Sequence, residues 1–143
     1  MSKLALGTVQ FGLDYGITNQ NGQVTIKEVK GILDFSKENG IDVLDTASGY
    51  GNSEKVLGEV GVDNYQIITK TISLKNGFDK VIDGFYQSLD DLSQKQVEGL
   101  LIHNIQDIEN KQFDVLFSKL NELKQQGLIK KIGFSTYTPE QVN

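Results

Sequence analysis

Short apolar runs alternate with amphipathic stretches along the 143 residues. Each pair recurs after roughly 30 residues, the unit length of a (βα)8 barrel of ~250 residues. Glycines close the amphipathic stretches just before the next apolar run, as junctions between a helix and a following strand require. These three observations predict an α/β fold: a partial (βα)8 TIM barrel holding strands one to five, four helices and the start of a fifth.

The strands are expected near residues 3–8, 41–45, 66–70, 97–103 and 131–135. All are short and apolar, the pattern of strands covered on both faces. The first helix opens with Thr25-Ile26-Lys27-Glu28, a capping box, and carries the stripe Ile26, Val29, Ile32 and Leu33 before Gly40. A short second helix starts at Ser53. The third places Phe78, Val81, Ile82, Phe85 and Leu89 at helical spacing, and the fourth Phe113, Leu116, Leu120 and Leu123 before Gly127. Thr138-Pro139 then reads as an N-cap with Pro in the first turn, announcing a fifth helix close to Asn143. Residues 1–143 are therefore expected to be the N-terminal portion of a longer barrel, truncated in its fifth unit, with no internal boundary. Residues 12–22 form a long polar loop at the catalytic end, able to shape a pocket or merely permissive. Asp90-Asp91 reads as a helix-end loop rather than a metal site.

Composition narrows the function. Hydrophobic residues make up 38% and charged residues 23%, as in an ordinary globular domain. The net charge is −5 and all 14 basic residues are lysine, a poor surface for nucleic acid. The absence of cysteine excludes disulfides, thiolate zinc sites and thiol nucleophiles, and a single histidine argues against a histidine-rich metal site, so no metal is expected. The N-terminus reads as a strand rather than a signal peptide and no run is long enough to span a membrane, so a cytoplasmic protein with no membrane partner is expected.

Four polar residues stand at or just beyond strand C-terminal ends: Asp45, Tyr50, Lys70 and His103. In a parallel βα fold these ends converge on the face that carries the chemistry. Each has an ordinary alternative. Asp45 could cap a turn, Tyr50 could cover the core from its loop, Lys70 could be a solvated strand end, and His103 a satisfied core histidine. All four would have to be incidental on one face, and together they make a proton-delivery site.

The run from Asp45 to Gly58 reads D-T-A-x-x-Y-G-x-S-E-x-x-L-G. With Leu6-Gly7-Thr8, Thr69-Lys70, Leu101-Ile102-His103-Asn104 and Gly133-Phe134-Ser135, it resembles the aldo-keto reductases along the whole chain. The resemblance implies NAD(P)H-dependent reduction of an aldehyde or ketone to an alcohol, with NADPH as cofactor and a small-molecule carbonyl compound as substrate. It makes Tyr50 the general acid and Lys70 the ammonium that stabilises its phenolate. Asp45 becomes the partner of Lys70, and His103 the group that orients the carbonyl oxygen. Gly7, Thr8, Asp45 and Ser135 fall at the cofactor; where many relatives have Asn after that serine, this chain has Thr136. The groups that grip the adenosine phosphate in relatives come from later strands. Residues 7–12 do not form a G-x-G-x-x-G loop, so a Rossmann site is not supported.

Two other readings stand beside this one. A five-stranded signalling receiver fits the length, but it needs acidic residues where strand one ends in Gly7-Thr8 and an Asp where strand three ends in Thr69-Lys70. A non-enzymatic remnant or binding subunit of reductase ancestry keeps the fold without the activity. In either reductase reading the isolated chain is expected to be inactive and to self-associate through its open sheet edges.

Overall fold

Parallel pairing follows from the alternation of strand and helix, since each crossover returns the chain to the same end of the sheet. The computed structural model describes residues 4–142; Lys3, expected to open strand one, and Asn143 lie outside the described residues. In chain order the strands are β1 (Leu6–Gly7), β2 (Val43–Asp45), β3 (Gln66–Lys70), β4 (Val97–Ile102) and β5 (Ile129–Phe134). The helices are α1 (Val9–Gly12), α2 (Ile26–Glu38), α3 (Ser53–Val60), α4 (Phe78–Asp91) and α5 (Phe113–Gln125). The sheet runs β1-β2-β3-β4-β5 and every pair is parallel, with Gly7 beside Asp45, Asp45 beside Ile68 and Lys70 beside Leu101.

The core lies between the sheet and its helices. Leu44, Ile67, Leu100 and Ile102 from the strands pack with Val29, Leu33, Val56, Leu57, Val81, Phe85, Leu116 and Leu120. Burial of this kind stabilises by about 1.5–3 kcal/mol for each large side chain. The expected capping box at Thr25 forms, the Glu28 amide donating to Thr25 Oγ1 at 3.3 Å and the Thr25 amide to Glu28 Oε2 at 3.1 Å.

Several details depart from the sequence reading. The strands are covered on one face rather than two. Alternation turns Ile67 into the core, while Ile68 and Leu101 stay half-buried in an open hollow of about 260 Å³ shared with Val43, Gly99 and Gly133. The turn of helix α1 precedes the polar loop because Phe11 turns into the core and the Leu13 amide closes back on the Val9 carbonyl at 3.0 Å. Ile26 is 51% exposed at the first turn of α2, so the buried stripe is Val29 and Leu33 with Ile32 at its margin. Asp90 and Asp91 are the last residues of α4, not a loop. The segment after Thr138 makes one 3₁₀ turn, Pro139–Gln141.

Candidate active site

Neighbouring parallel strands bring Asp45, at the end of β2, beside Lys70, at the end of β3. Lys70 is 5% exposed, a rare place for a lysine unless its charge is matched. All three ammonium hydrogens have partners. Lys70 Nζ forms an ion pair with Asp45 Oδ1, donates to the Thr46 carbonyl at 2.9 Å and lies 3.2 Å from the Tyr50 hydroxyl. It also stands 4.9 Å from the centre of the Tyr50 ring. His103 follows β4 by one residue, its amide facing Thr71 Oγ1 at 3.4 Å. Its ring meets that of Tyr50 edge-on, with centres 6.0 Å apart and planes at 85°. Burial, helped by the Lys70 charge and opposed by Asp45, holds His103 below the ordinary histidine value of 6.5. Its neutral form is therefore favoured near pH 7.

Tyr50 sits in a loop that could not approach the sheet without two glycines. A Cβ on Gly12 would lie 1.8 Å from the Tyr50 carbonyl oxygen and 2.4 Å from the Ser53 amide nitrogen. Gly51, at φ +59°, would drive a Cβ to 2.3 Å from the Gly12 carbonyl oxygen. The two backbones cross where only hydrogen fits.

Beneath the cluster is a support that sequence reasoning did not assign. Thr8, Thr46 and Ser53 are fully buried. Ser53 Oγ, at the start of α3, donates toward the Thr8 carbonyl at 2.9 Å and lies 3.0 Å from Thr8 Oγ1 and 3.3 Å from Thr46 Oγ1. Thr8 Oγ1 in turn donates to the Asp45 carbonyl at 3.0 Å. This group of hydroxyls ties β1, β2 and α3 together under Asp45. Ser53 and Glu54 were visible in the sequence as part of the S-E pair, but only as a helix start.

The four residues placed at the cofactor by the sequence are distributed unevenly. Gly7 is exposed at the end of β1 with open space where a Cβ would stand. The Asp45 side chain is 37% exposed. Ser135 is half-buried just past β5, its amide donating to the Ile102 carbonyl at 3.0 Å. Thr8 is sealed, its hydroxyl committed to the Asp45 backbone. A hollow of about 280 Å³ opens over the cluster, walled by Val9, Leu13, Tyr15, Tyr50, His103 and Tyr137. A larger one of about 520 Å³, between α2 and the loop at residues 19–24, contains none of the four clustered residues.

Five parallel strands paired in sequence order, with a polar cluster over their C-terminal ends, form a segment of a (βα)8 barrel rather than a doubly wound sheet, whose strand order reverses. The aldo/keto reductase family model matches residues 3–143, and the chain belongs to that family. It is 29% identical over 146 residues to the oxidoreductase sirO of Leptosphaeria maculans, covering 97% of this chain and 44% of that protein. It is 32% identical over 133 residues to the methylglyoxal reductase DkgB of Escherichia coli O157:H7, covering 90% and 48%. Among solved structures, a candidate aldo-keto reductase from Pseudomonas aeruginosa superposes with a TM-score of 0.81 at 28% identity, covering 98% of this chain and 57% of that one. A Bombyx mori aldo-keto reductase in complex with NADP shares the fold at a TM-score of 0.69 and 24% identity, over 97% and 48%. The chain thus spans about half the length of these relatives.

Proposed function

We propose that this chain carries the proton-delivery half of an NADPH-dependent carbonyl reductase, and that the complete protein reduces an aldehyde or ketone to an alcohol. One observation carries the reading: a single buried ammonium contacts both Asp45 and the Tyr50 hydroxyl, with His103 against the same phenol ring. The names of the relatives support the chemistry, since one is a methylglyoxal reductase and one a complex with NADP.

In this mechanism Tyr50 gives its phenolic proton to the substrate oxygen. The adjacent Lys70 ammonium favours the phenolate that remains, and Asp45 keeps that ammonium charged and in place. His103, neutral, donates a hydrogen bond that orients the carbonyl oxygen. The nicotinamide, when bound, supplies the hydride. Gly7, with open space where a Cβ would stand, the exposed edge of the Asp45 carboxylate and Ser135 past β5 are the residues that would hold it. The family resemblance assigns the remaining grip on the dinucleotide to later strands, so on this reading the 143 residues alone do not hold donor and carbonyl in reacting geometry.

The test is NADPH oxidation with a reactive aromatic aldehyde. In a complete protein Tyr50→Phe is expected to lower kcat by about 10²–10⁴-fold, the usual contribution of a general acid, with NADPH binding retained. Undiminished turnover by that variant would remove Tyr50 from the role of acid. Robust turnover by the 143-residue chain would refute the division of labour.

A further inference from the structure

Tyr50 and Lys70 stand 20 positions apart in the chain, and Ser48 joins their two backbones. β2 and β3 pair regularly up to Asp45 and Ile68. Past the end of β2 the pairing runs on, the Thr46 amide donating to the Ile68 carbonyl at 2.9 Å and the Ser48 amide to the Lys70 carbonyl at 3.3 Å. The last of these bonds is long, and the Ser48 hydroxyl reinforces it by donating to the same carbonyl oxygen at 3.0 Å. The chain then turns, the Tyr50 amide donating back to the Ala47 carbonyl at 3.0 Å. Tyr50 therefore follows by two residues a double grip on the backbone of Lys70. That backbone is fixed from the other side as well. Thr69 points away from Lys70, is fully buried, and its hydroxyl lies 2.5 Å from Glu54 Oε1 on α3.

We propose that Ser48 is a positioning residue: its hydroxyl, held by Ser88 on α4, fixes the Tyr50 turn to the Lys70 backbone and so sets the contact between the Tyr50 hydroxyl and the Lys70 ammonium. A serine hydroxyl has one hydrogen to give. Ser48 gives its own to the Lys70 carbonyl, so the 2.9 Å contact between Ser48 Oγ and Ser88 Oγ uses the hydrogen of Ser88. Ser88 is 1% exposed inside α4, where alanine would suit the helix better. What its hydroxyl contributes there is the hold on Ser48, which keeps the Ser48 side chain aimed at β3. No packing between Ser48 and Tyr50 replaces this anchor, since a Cβ on Gly49 would meet nothing within 4 Å. The crossing of Gly12 with Gly51 pins the far side of the turn, and Ser48 pins the side next to Lys70.

What Ser48 positions has meaning through the proton-delivery reading, but the anchor is tested without turnover, so failure of either is seen separately. The measurement is the Tyr50 ring resonance of the 143-residue chain, assigned with Tyr50→Phe, together with its cross-relaxation to the His103 ring that it meets edge-on. Ser48→Ala is expected to shift the resonance and weaken the cross-relaxation. Ser48→Thr keeps the hydroxyl and is expected to restore both, which a loss of stability alone would not require. Ser88→Ala is expected to move the Tyr50 signal in the same direction as Ser48→Ala, and it carries the test should Ser48→Ala not fold. A Tyr50 signal unmoved in the folded Ser48→Ala chain, or moved as far by Ser48→Thr, overturns the positioning role of Ser48. A signal unmoved by Ser88→Ala overturns the support from α4.

Discussion

Lys70 is the residue on which the site turns, because its charge is nearly sealed from water while its carboxylate partner is not. The Lys70 side chain is 6% exposed and that of Asp45 37%. Breaking a buried pair costs about 3–5 kcal/mol when the group left behind stays buried, and much less when solvent can screen it. The two halves of this pair should therefore respond unequally. Asp45→Asn leaves a buried cation with neutral acceptors in place of its anion, the amide oxygen beside the Thr46 carbonyl and Tyr50, and is expected to lower stability toward the lower end of that range. Lys70→Met leaves a carboxylate that can rehydrate and fills the vacated volume with an apolar chain, so its loss is expected to be smaller. Urea denaturation of the two variants at pH 7 decides, and equal losses or the reverse order would contradict the asymmetry. At this scale the sequence was legible where a polar residue ends an apolar run, as for Asp45, Lys70 and His103. Ser48, Glu54 and Ser88 carried no such mark. Their partners lie across β3 or on another helix, with Ser48 and Ser88 separated by 40 positions, and no local pattern records that meeting.

Elements were read well wherever periodicity and a stop coincided, as in α2 with its capping box and α5 before Gly127. They were read less well where a short piece is fixed by tertiary contact. Helix α1 spans four residues, too few to show a period, and forms because Phe11 buries and α3 crosses it. The loop after it turns at Gly16, where the Asn19 backbone amide donates back to the Gly16 carbonyl at 3.0 Å, and at Gly22, and side-chain amides tie those turns down. Asn19 Nδ2 donates to the carbonyls of Tyr15 at 3.1 Å and Gly22 at 2.9 Å, and Gln23 Nε2 bridges the Phe11 carbonyl and Asn52 Oδ1, both at 2.8 Å. The crossing of α1 with the Tyr50 loop yields an element-scale prediction. Gly12→Ala forces a backbone clash that no side-chain rotation relieves, so its cost should meet or exceed the about 1–3 kcal/mol typical of overpacking. The Tyr50 resonance should move with it. Gly49→Ala, on the same loop with nothing within 4 Å of its added Cβ, is the matched control, expected to stay within about 0.5 kcal/mol of wild type. A Gly12→Ala chain as stable as Gly49→Ala, with Tyr50 in place, would show that the crossing is not rigid.

For the whole molecule the governing fact is an open sheet. β1 and β5 each have one neighbour among the described residues, and the face away from the helices holds Val43, Ile68 and Leu101 around a hollow of about 260 Å³. The two edges are not equally hazardous. β1 is two residues long, and β5 carries Lys130 and Lys131, which pair with Glu98 at 3.0 and 2.8 Å and discourage another strand from docking. The concavity takes Glu98 and Lys131 into its wall, but as a pair already matched to each other at 2.8 Å beside Ile68, Leu101 and Ile132. Two copies that meet there bury Ile68 and Leu101, gaining about 25 cal/mol for each Å² of apolar surface removed from water. We therefore expect the purified 143-residue chain to self-associate through this face rather than edge to edge. Because the drive is apolar, association should persist in high salt, where contacts held by Lys130 and Lys131 would be screened. Light scattering across a concentration and salt series, with hydrogen exchange on the same samples, tests this. A monodisperse monomer whose β1 and β5 amides are strongly protected would mean that the sheet closes on itself by another route, and association abolished by salt would move the contact from the concavity to the charged edge.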